Sequence, residues 1–508
     1  MAKKNKKNNE PKIVSRAPVV AVMGHIDHGK STLLDYIRKE NTVDKEAGGI
    51  TQHVAGYEAV YNDEKIVFID TPGHEAFAAA RSRGANIADI AVLVVSAEDG
   101  VKEQTLGALK FIQDSKIPFI VAINKIDKPN ADINKTKNTL IEHGIYLEGM
   151  GGDIPFIEVS ALKGTNIDKL LDLILLTAEV EDLKADLSKL GSGYVLESKL
   201  DSKRGISATM ILKDGYIKTG QFVVSNTAMS PVRILEDFQA KGIKEAEASS
   251  VIVVTGFDEN PEAGGSFIVF ENKKEAQKYI DEIKELEEIQ KQEENSKPIS
   301  RRRRKEEKNI FPLIIKADAQ GSVDAILHQL KKINNERSEY KVVMSGVGNI
   351  GDKELKMLVA DSNATIVGFN VKSDRKVEMQ AEKFGIDIKN FDIIYKLEEY
   401  LEERLEKLTP KEMVEERVGE IKILKVFSWN KNEGVIGGEV LDGEMTKDDK
   451  IKLSRRGIFL SDVEILNLQK GKQKVEKVLK EDQFGLNVKS DYEIIDGDIL
   501  EVVREVEK

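Results

Sequence analysis

The stretch GHIDHGKST at residues 24–32 decides how the first third of this chain is read. Gly24, Gly29, Lys30 and Ser31 fit the phosphate-loop pattern of a glycine, four variable residues, then Gly-Lys-Ser/Thr. The apolar run VVAVM (19–23) precedes it and the helix-like LLDYIRKE (33–40) follows. The spacing therefore predicts strand, loop and helix. Glycines let the backbone N–H groups of His25, Ile26, Asp27, His28 and Gly29 wrap a phosphate, and a helix N-terminus adds to the anion's stability. Lys30 is placed to reach the β- and γ-phosphates. The Ser31 hydroxyl, followed by Thr32, is placed to ligate Mg²⁺.

Outward from the loop, IVFI (66–69), IAVLVV (90–95), FIVAI (119–123) and PFIEV (155–159) alternate with helical patterns. Continuous apolar runs of this length suit a parallel sheet covered on both faces. Three of them end in polar motifs, at the sheet edge where such folds bind ligands. Asp70-Thr71-Pro72-Gly73 offers a carboxylate for Mg²⁺, through water, and an N–H at Gly73 to sense a γ-phosphate. Asn124-Lys125-Ile126-Asp127 places a carboxylate that accepts N1–H and N2–H₂ of guanine. Adenine has no N1 donor, so it would leave Asp127 desolvated and unpaired. Backbone N–H groups of Ser160-Ala161-Leu162 meet the guanine O6. Each tetrapeptide alone is an ordinary loop. Four in order, each at a strand end, point to binding and hydrolysis of GTP.

At roughly 100–200 residues per domain, 508 residues imply three to five domains. The segments expected are a basic flexible tail (1–16), the α/β nucleotide domain (17–183), a small antiparallel barrel (190–271) and a helical and basic linker (272–308). A second α/β domain (309–395), a linker helix (396–416) and a terminal barrel (417–508) complete the chain. The fold class is thus multidomain α/β and β. With no cysteine, disulfide frameworks and thiolate chemistry are excluded. The longest apolar run falls far short of the ~20 residues of a membrane helix, and the N-terminus has no apolar signal-peptide core. The expectation is a cytoplasmic chain without a membrane partner, acting as a monomer. Net charge is −11, yet residues 1–16 carry six Lys/Arg against one Glu, and 301–305 are all basic. Each basic stretch reads either as a solvated tail or linker or as an RNA contact.

The combination of GHIDHGKST, EAGGITQHV (46–54) and DTPGHEAF (70–77) resembles bacterial-type translation initiation factor two, a translational GTPase. The resemblance continues through KRGISATMILKDGYIKTG (203–220), IIKADAQGSVDAI (314–326), SGVGNI (345–350), ATIVGFNV (364–371) and FDIIYKLEEYL (391–401). It implies GTP/GDP with Mg²⁺, ribosomal subunits and initiator methionyl-tRNA as partners, and hydrolysis stimulated by the ribosome. It further implies that Thr51 ligates Mg²⁺ in the GTP state. His74 would orient the attacking water, and Ile26 and Ile50 would gate that histidine. On spacing alone, His74 is equally a capping or loop histidine.

The family's terminal barrel holds the formyl-methionyl end of the tRNA with Ala-Gly-Cys, Lys-Arg-aromatic and Glu-Cys-Gly segments. Here those positions read Gly437-Gly438-Glu439, Gln469-Lys470-Gly471 and Gln483-Phe484-Gly485. Arg455, Arg456, Lys470, Lys472 and Lys474, with Gln483, Phe484 and Gly485, are the candidate tRNA residues. The charges among them read equally as solvated surface. Two rivals stand beside this reading. One is another translational GTPase, against which the third-domain motifs count. The other is a GTP-binding scaffold without hydrolysis, against which His74 and Thr51 count.

Overall fold

The computed structural model describes residues 11–38, 54–201, 204–295, 308–335, 337–359, 363–409, 413–455, 458–471 and 473–507. Ile50, Thr51, Arg456, Lys472, the basic run 301–305 and the first ten residues of the tail lie outside them. The chain forms two compact units, Met1–Leu408 and Thr409–Lys508.

The first unit begins with β1 (Ile13–Ser15), β2 (Val19–Gly24), α1 (Lys30–Arg38), β3 (Ala55–Tyr61), β4 (Glu64–Asp70), α2 (Ala78–Ile87) and β5 (Ile90–Ser96). It continues with α3 (Glu103–Ser115), β6 (Phe119–Asn124), α4 (Ile133–Glu142), β7 (Phe156–Glu158), α5 (Ile167–Val180) and β8 (Lys184–Asp186). The sheet order is β3-β4-β2-β5-β6-β7, parallel except for β3 at one edge. β2 and β5 are buried along their whole length, as unbroken apolar runs demand when helices cover both faces.

Seven antiparallel strands between Ser192 and Phe270 build the first barrel. A buried charge cluster ties it to the sheet: Asp89 takes both Arg16 and Lys213 at 2.6 Å. Helix α6 (Lys273–Asn295) follows. Ala276 and Ile280 pack on Val224, but Leu286 is 61% exposed. The apolar stripe therefore serves the barrel only over its first turns.

Four parallel strands, ordered Ser338–Val347, Asn309–Ala317, Thr365–Phe369 and Asp387–Phe391, form the next sheet. Its helices are α7 (Gln320–Ile333), α8 (Asp352–Leu358), α9 (Arg375–Phe384) and α10 (Ile394–Leu408). Here the linker helix expected over 396–416 is corrected. α10 ends at Leu408, and residues from 413 onward are strand, pairing Met413 with Glu507 and Glu416 with Arg504. Nor is α10 a free linker. Leu397, Leu401 and Leu405 are buried in one apolar core with Ile326 and Leu330 of α7. That core continues through Leu196 and Val251 of the barrel to Ile69 and Phe77.

In the second unit, Met413–Asn430 pairs with both Ile499–Glu507 and Glu433–Thr446, closing six strands into a barrel. Trp429, the chain's one tryptophan, lies where a side chain on Gly434 would stand, and its indole N–H donates to Lys431 O at 2.9 Å. Among the described residues no helix is long and apolar enough to cross a membrane.

Candidate active site

The phosphate loop leaves the C-terminal end of β2. Asp27 turns it with φ 61° and Gly29 with φ 86°. A Cβ on Gly29 would also stand 2.4 Å from Asn124 Nδ2, so only glycine fits. Asn124, 1% exposed at the end of β6, donates to His28 O at 2.9 Å and accepts from Ala161 N at 2.9 Å. It therefore stitches the phosphate loop to the loop after β7.

Lys30 is buried and folds back to donate to His25 O at 2.6 Å. Burial pulls its ammonium down to about 8, with the Asp70 carboxylate pulling the other way. Asp70 ends β4 and Ser31 stands in the first turn of α1. Gly73 closes against the loop: a Cβ there would meet Lys30 Nζ at 2.6 Å and Ile26 Cγ1 at 3.2 Å. Ser160 Oγ donates to Asp127 Oδ1 at 2.6 Å. That bond is the main reason the carboxyl is held below its ordinary value, so Asp127 is an acceptor at neutral pH. Lys125 has φ 64° and faces Glu98 at 3.7 Å. Leu162 is 70% exposed.

His28 is fully buried, with Nδ1 3.3 Å from Val94 O. Burial pushes it down to about 3, so it is neutral and its Nδ1–H donates. Burial also lowers His25, whose ring meets that of His28 at 5.0 Å. The two loop histidines to which sequence attached no chemistry are thus apolar packing of the loop's base.

His74 caps the 3₁₀ turn Glu75–Phe77, its Nδ1 accepting from Ala76 N at 3.0 Å. Burial lowers it to about 4, helped by the nearby Arg81 cation. The imidazole is neutral, with its proton on Nε2. The capping role left open by spacing is the one seen here, and it leaves Nε2 available.

Sequence reasoning missed three residues. Gln104 Oε1 accepts the Ile26 N–H at 3.0 Å. Arg81, 3% exposed, donates to Pro72 O at 3.2 Å, to Gly73 O at 3.0 Å and to His74 O. It holds the DTPGH loop by its carbonyls, and a buried arginine one turn into an alanine-rich helix was the available signal. Tyr395 of α10 meets the His74 ring at 4.5 Å and 88°. Nothing in spacing brings residues 321 positions apart together.

The sheet edge thus gathers a phosphate loop, a carboxylate at a neighbouring strand end, a base-reading carboxylate and a histidine on the following loop. The Elongation factor Tu GTP binding domain matches residues 15–179, Elongation factor G domain 2 matches 191–270, and Translation-initiation factor 2 matches 285–402. Translation initiation factor IF-2 of Mycoplasmopsis pulmonis is 40% identical over 491 residues, 97% of this chain and 81% of that protein. The same factor of Anoxybacillus flavithermus is 38% identical, over 98% of this chain and 70% of that protein. The chain belongs to the translation initiation factor IF-2 family. A crystal structure of GDP-bound aIF5B from Aeropyrum pernix is 26% identical, covering 96% of this chain and 92% of its own, with a TM-score of 0.49.

As a member of the IF-2 family the chain is a GTP-dependent initiation factor with GTPase activity, and it binds GTP and GDP. In the terminal barrel the candidate tRNA residues are largely engaged within the fold. Arg455 pairs with Asp498 at 2.7 Å and donates to Glu493 O. Lys470 pairs with Asp482 at 2.5 Å, and Lys474 is exposed on a short strand. Gln483 opposes Glu439 and Gly485 opposes Gly437. Phe484 is 5% exposed and sits in the barrel core. Its ring fills the barrel instead of facing a ligand.

Proposed function

We propose that this factor brings initiator methionyl-tRNA to the small ribosomal subunit and promotes subunit joining in the cytoplasm, as a monomer. Hydrolysis of GTP, stimulated by the ribosome, then releases it. The observation that carries the reading is the convergence of Lys30, Asp70, Gly73 and Asp127 on one sheet edge, within a chain that also holds a separate closed barrel.

In this scheme the loop N–H groups of residues 24–32 and Lys30 hold the phosphates, and Asp127 with the Ser160–Leu162 loop reads guanine. The oxygen donors Ser31 and Asp70, few in number, suit Mg²⁺, which keeps waters and phosphate oxygens as its other ligands. Thr51 would join them. The cation neutralises charge on the phosphates when bound. His74 orients the attacking water through Nε2, with Ile26 and Ile50 shielding it beforehand. His74→Ala should leave GTP affinity nearly intact and slow ribosome-stimulated single-turnover hydrolysis by about 10²-fold or more. Subunit-joining kinetics with ribosomes, GTP and initiator tRNA test the whole scheme. No acceleration of joining by GTP would remove it.

The terminal barrel gives a finer reading. A Cβ on Gly438 would meet the Phe484 ring at 2.6 Å, so this glycine makes room for the phenyl group that replaces the family's cysteine. With the polar and sulfur lining gone, the barrel prefers formyl-methionyl over methionyl tRNA by at most about 1 kcal/mol, where 1.4 kcal/mol is tenfold. Competition of the two charged tRNAs for the full chain decides it. A hundredfold preference for the formylated form would overturn it.

A further inference from the structure

Tyr395 is the second residue of α10 and is 43% exposed. Its neighbours Ile394 and Leu397 are fully buried. The helix is therefore anchored by those two residues, and the tyrosine ring is carried outward on a fixed base. There it meets the His74 imidazole edge to face, at 4.5 Å and 88°. The same turn of the DTPGHEAF segment is pinned a second time. Glu75 pairs with Lys332 at the end of α7 at 2.7 Å, and α7 and α10 are joined by Gln329 donating to Glu398 at 2.8 Å. The Asp27 carboxylate of the phosphate loop is close enough to help raise the Tyr395 hydroxyl, after burial. Tyr395 thus stands beside both the histidine and the loop.

His74 has one nitrogen committed to Ala76 and one ring face committed to Tyr395. Turning the imidazole to another rotamer breaks both contacts, so the pair defines a resting orientation. Core packing does not account for the tyrosine's place, since nearly half of it is in solvent.

We propose that Tyr395 is a positioning residue that holds His74 in this resting orientation and restrains hydrolysis until α10 withdraws. The proposal rests on the reading that His74 acts on the attacking water. An aromatic pair of this kind corresponds to about threefold to tenfold in an equilibrium. The chain without ribosomes should spend correspondingly more time with His74 released once the ring is removed.

The test is single-turnover GTP hydrolysis by the full chain, with and without ribosomes. Tyr395→Ala should raise the ribosome-free rate by about threefold to tenfold, with nucleotide affinity unchanged and the ribosome-stimulated rate within about twofold of wild type. Tyr395→Phe keeps the ring and should return the wild-type rate. The rise should vanish when His74→Ala is added, because the tyrosine acts through the histidine. Tyr395→Leu carries the test if the alanine variant melts early. A ribosome-free rate that stays level or falls in a variant with wild-type melting overturns the proposal. If His74→Ala alone hydrolyses normally on ribosomes, the reading beneath it fails as well. If His74→Ala is slow while Tyr395→Ala and Tyr395→Leu behave as wild type, only the restraint is wrong.

Discussion

Asp127 carries its selectivity in one hydrogen bond. Ser160 donates to one carboxylate oxygen and keeps the group ionised. Asp127→Asn puts a donor where an acceptor stood, so preference should move from guanosine to xanthosine nucleotides. Competition between GTP and XTP for the variant measures it, and tight GTP binding without gain for XTP would refute the assignment. His28 gives a residue-scale pH dependence. Its folded value of about 3 lies below the ordinary 6.5. Between those values the unfolded chain binds a proton that the folded chain refuses, so stability falls as pH falls through 6.5 and levels out near 3. From pH 7 to pH 5 this costs about 2 kcal/mol. Denaturant unfolding at both pH values should show His28→Asn losing about that much less than wild type. An identical loss would mean that the imidazole is not protected.

At the scale of elements, Asn124 shows what a strand-end motif does besides reading a ligand. Asn124→Ala leaves His28 O and Ala161 N buried without that partner, at about 1–3 kcal/mol each. Urea unfolding should show a loss of about 2–4 kcal/mol, and GTP should bind more weakly because the loop loses its brace. Unchanged stability would show that water replaces the amide. The nucleotide sheet was legible because each apolar run is long, unbroken and closed by a polar motif, a pattern that local physics imposes. The terminal barrel was legible through glycine punctuation. The end of α10 was not. Leu397, Leu401, Leu405 and Leu408 follow a helical period that continues in the eye beyond Leu408. Yet residues from 413 pair with a strand more than eighty positions away, and no local pattern announces a partner so distant. Tyr395 and Arg81 escaped for the same reason: their roles exist only after remote elements pack. Phe484 was read as a ligand residue because its neighbours are. In the barrel its side chain falls on the inward face.

On the scale of the molecule, the two units differ in what holds them. The first shares one apolar core across the nucleotide sheet, the first barrel and the second α/β sheet, and Arg16, Asp89 and Lys213 add a buried charge cluster. The second closes its own barrel with its own core. A chain built this way should unfold in two steps, because cooperativity follows shared burial. Trp429 turns that expectation into an optical experiment. As the chain's single indole, seated beside Gly434, it makes near-ultraviolet emission a reporter on the terminal barrel alone. Circular dichroism at 222 nm instead weights the helices, which among the described residues all lie before residue 409. The two signals should give separate midpoints in a denaturant titration, and GTP should move the dichroic one while leaving the fluorescent one in place. Superimposed curves would mean that the units melt as one. The chain thus carries a natural probe in the half that holds no nucleotide, and excitation at 295 nm watches that half without any label.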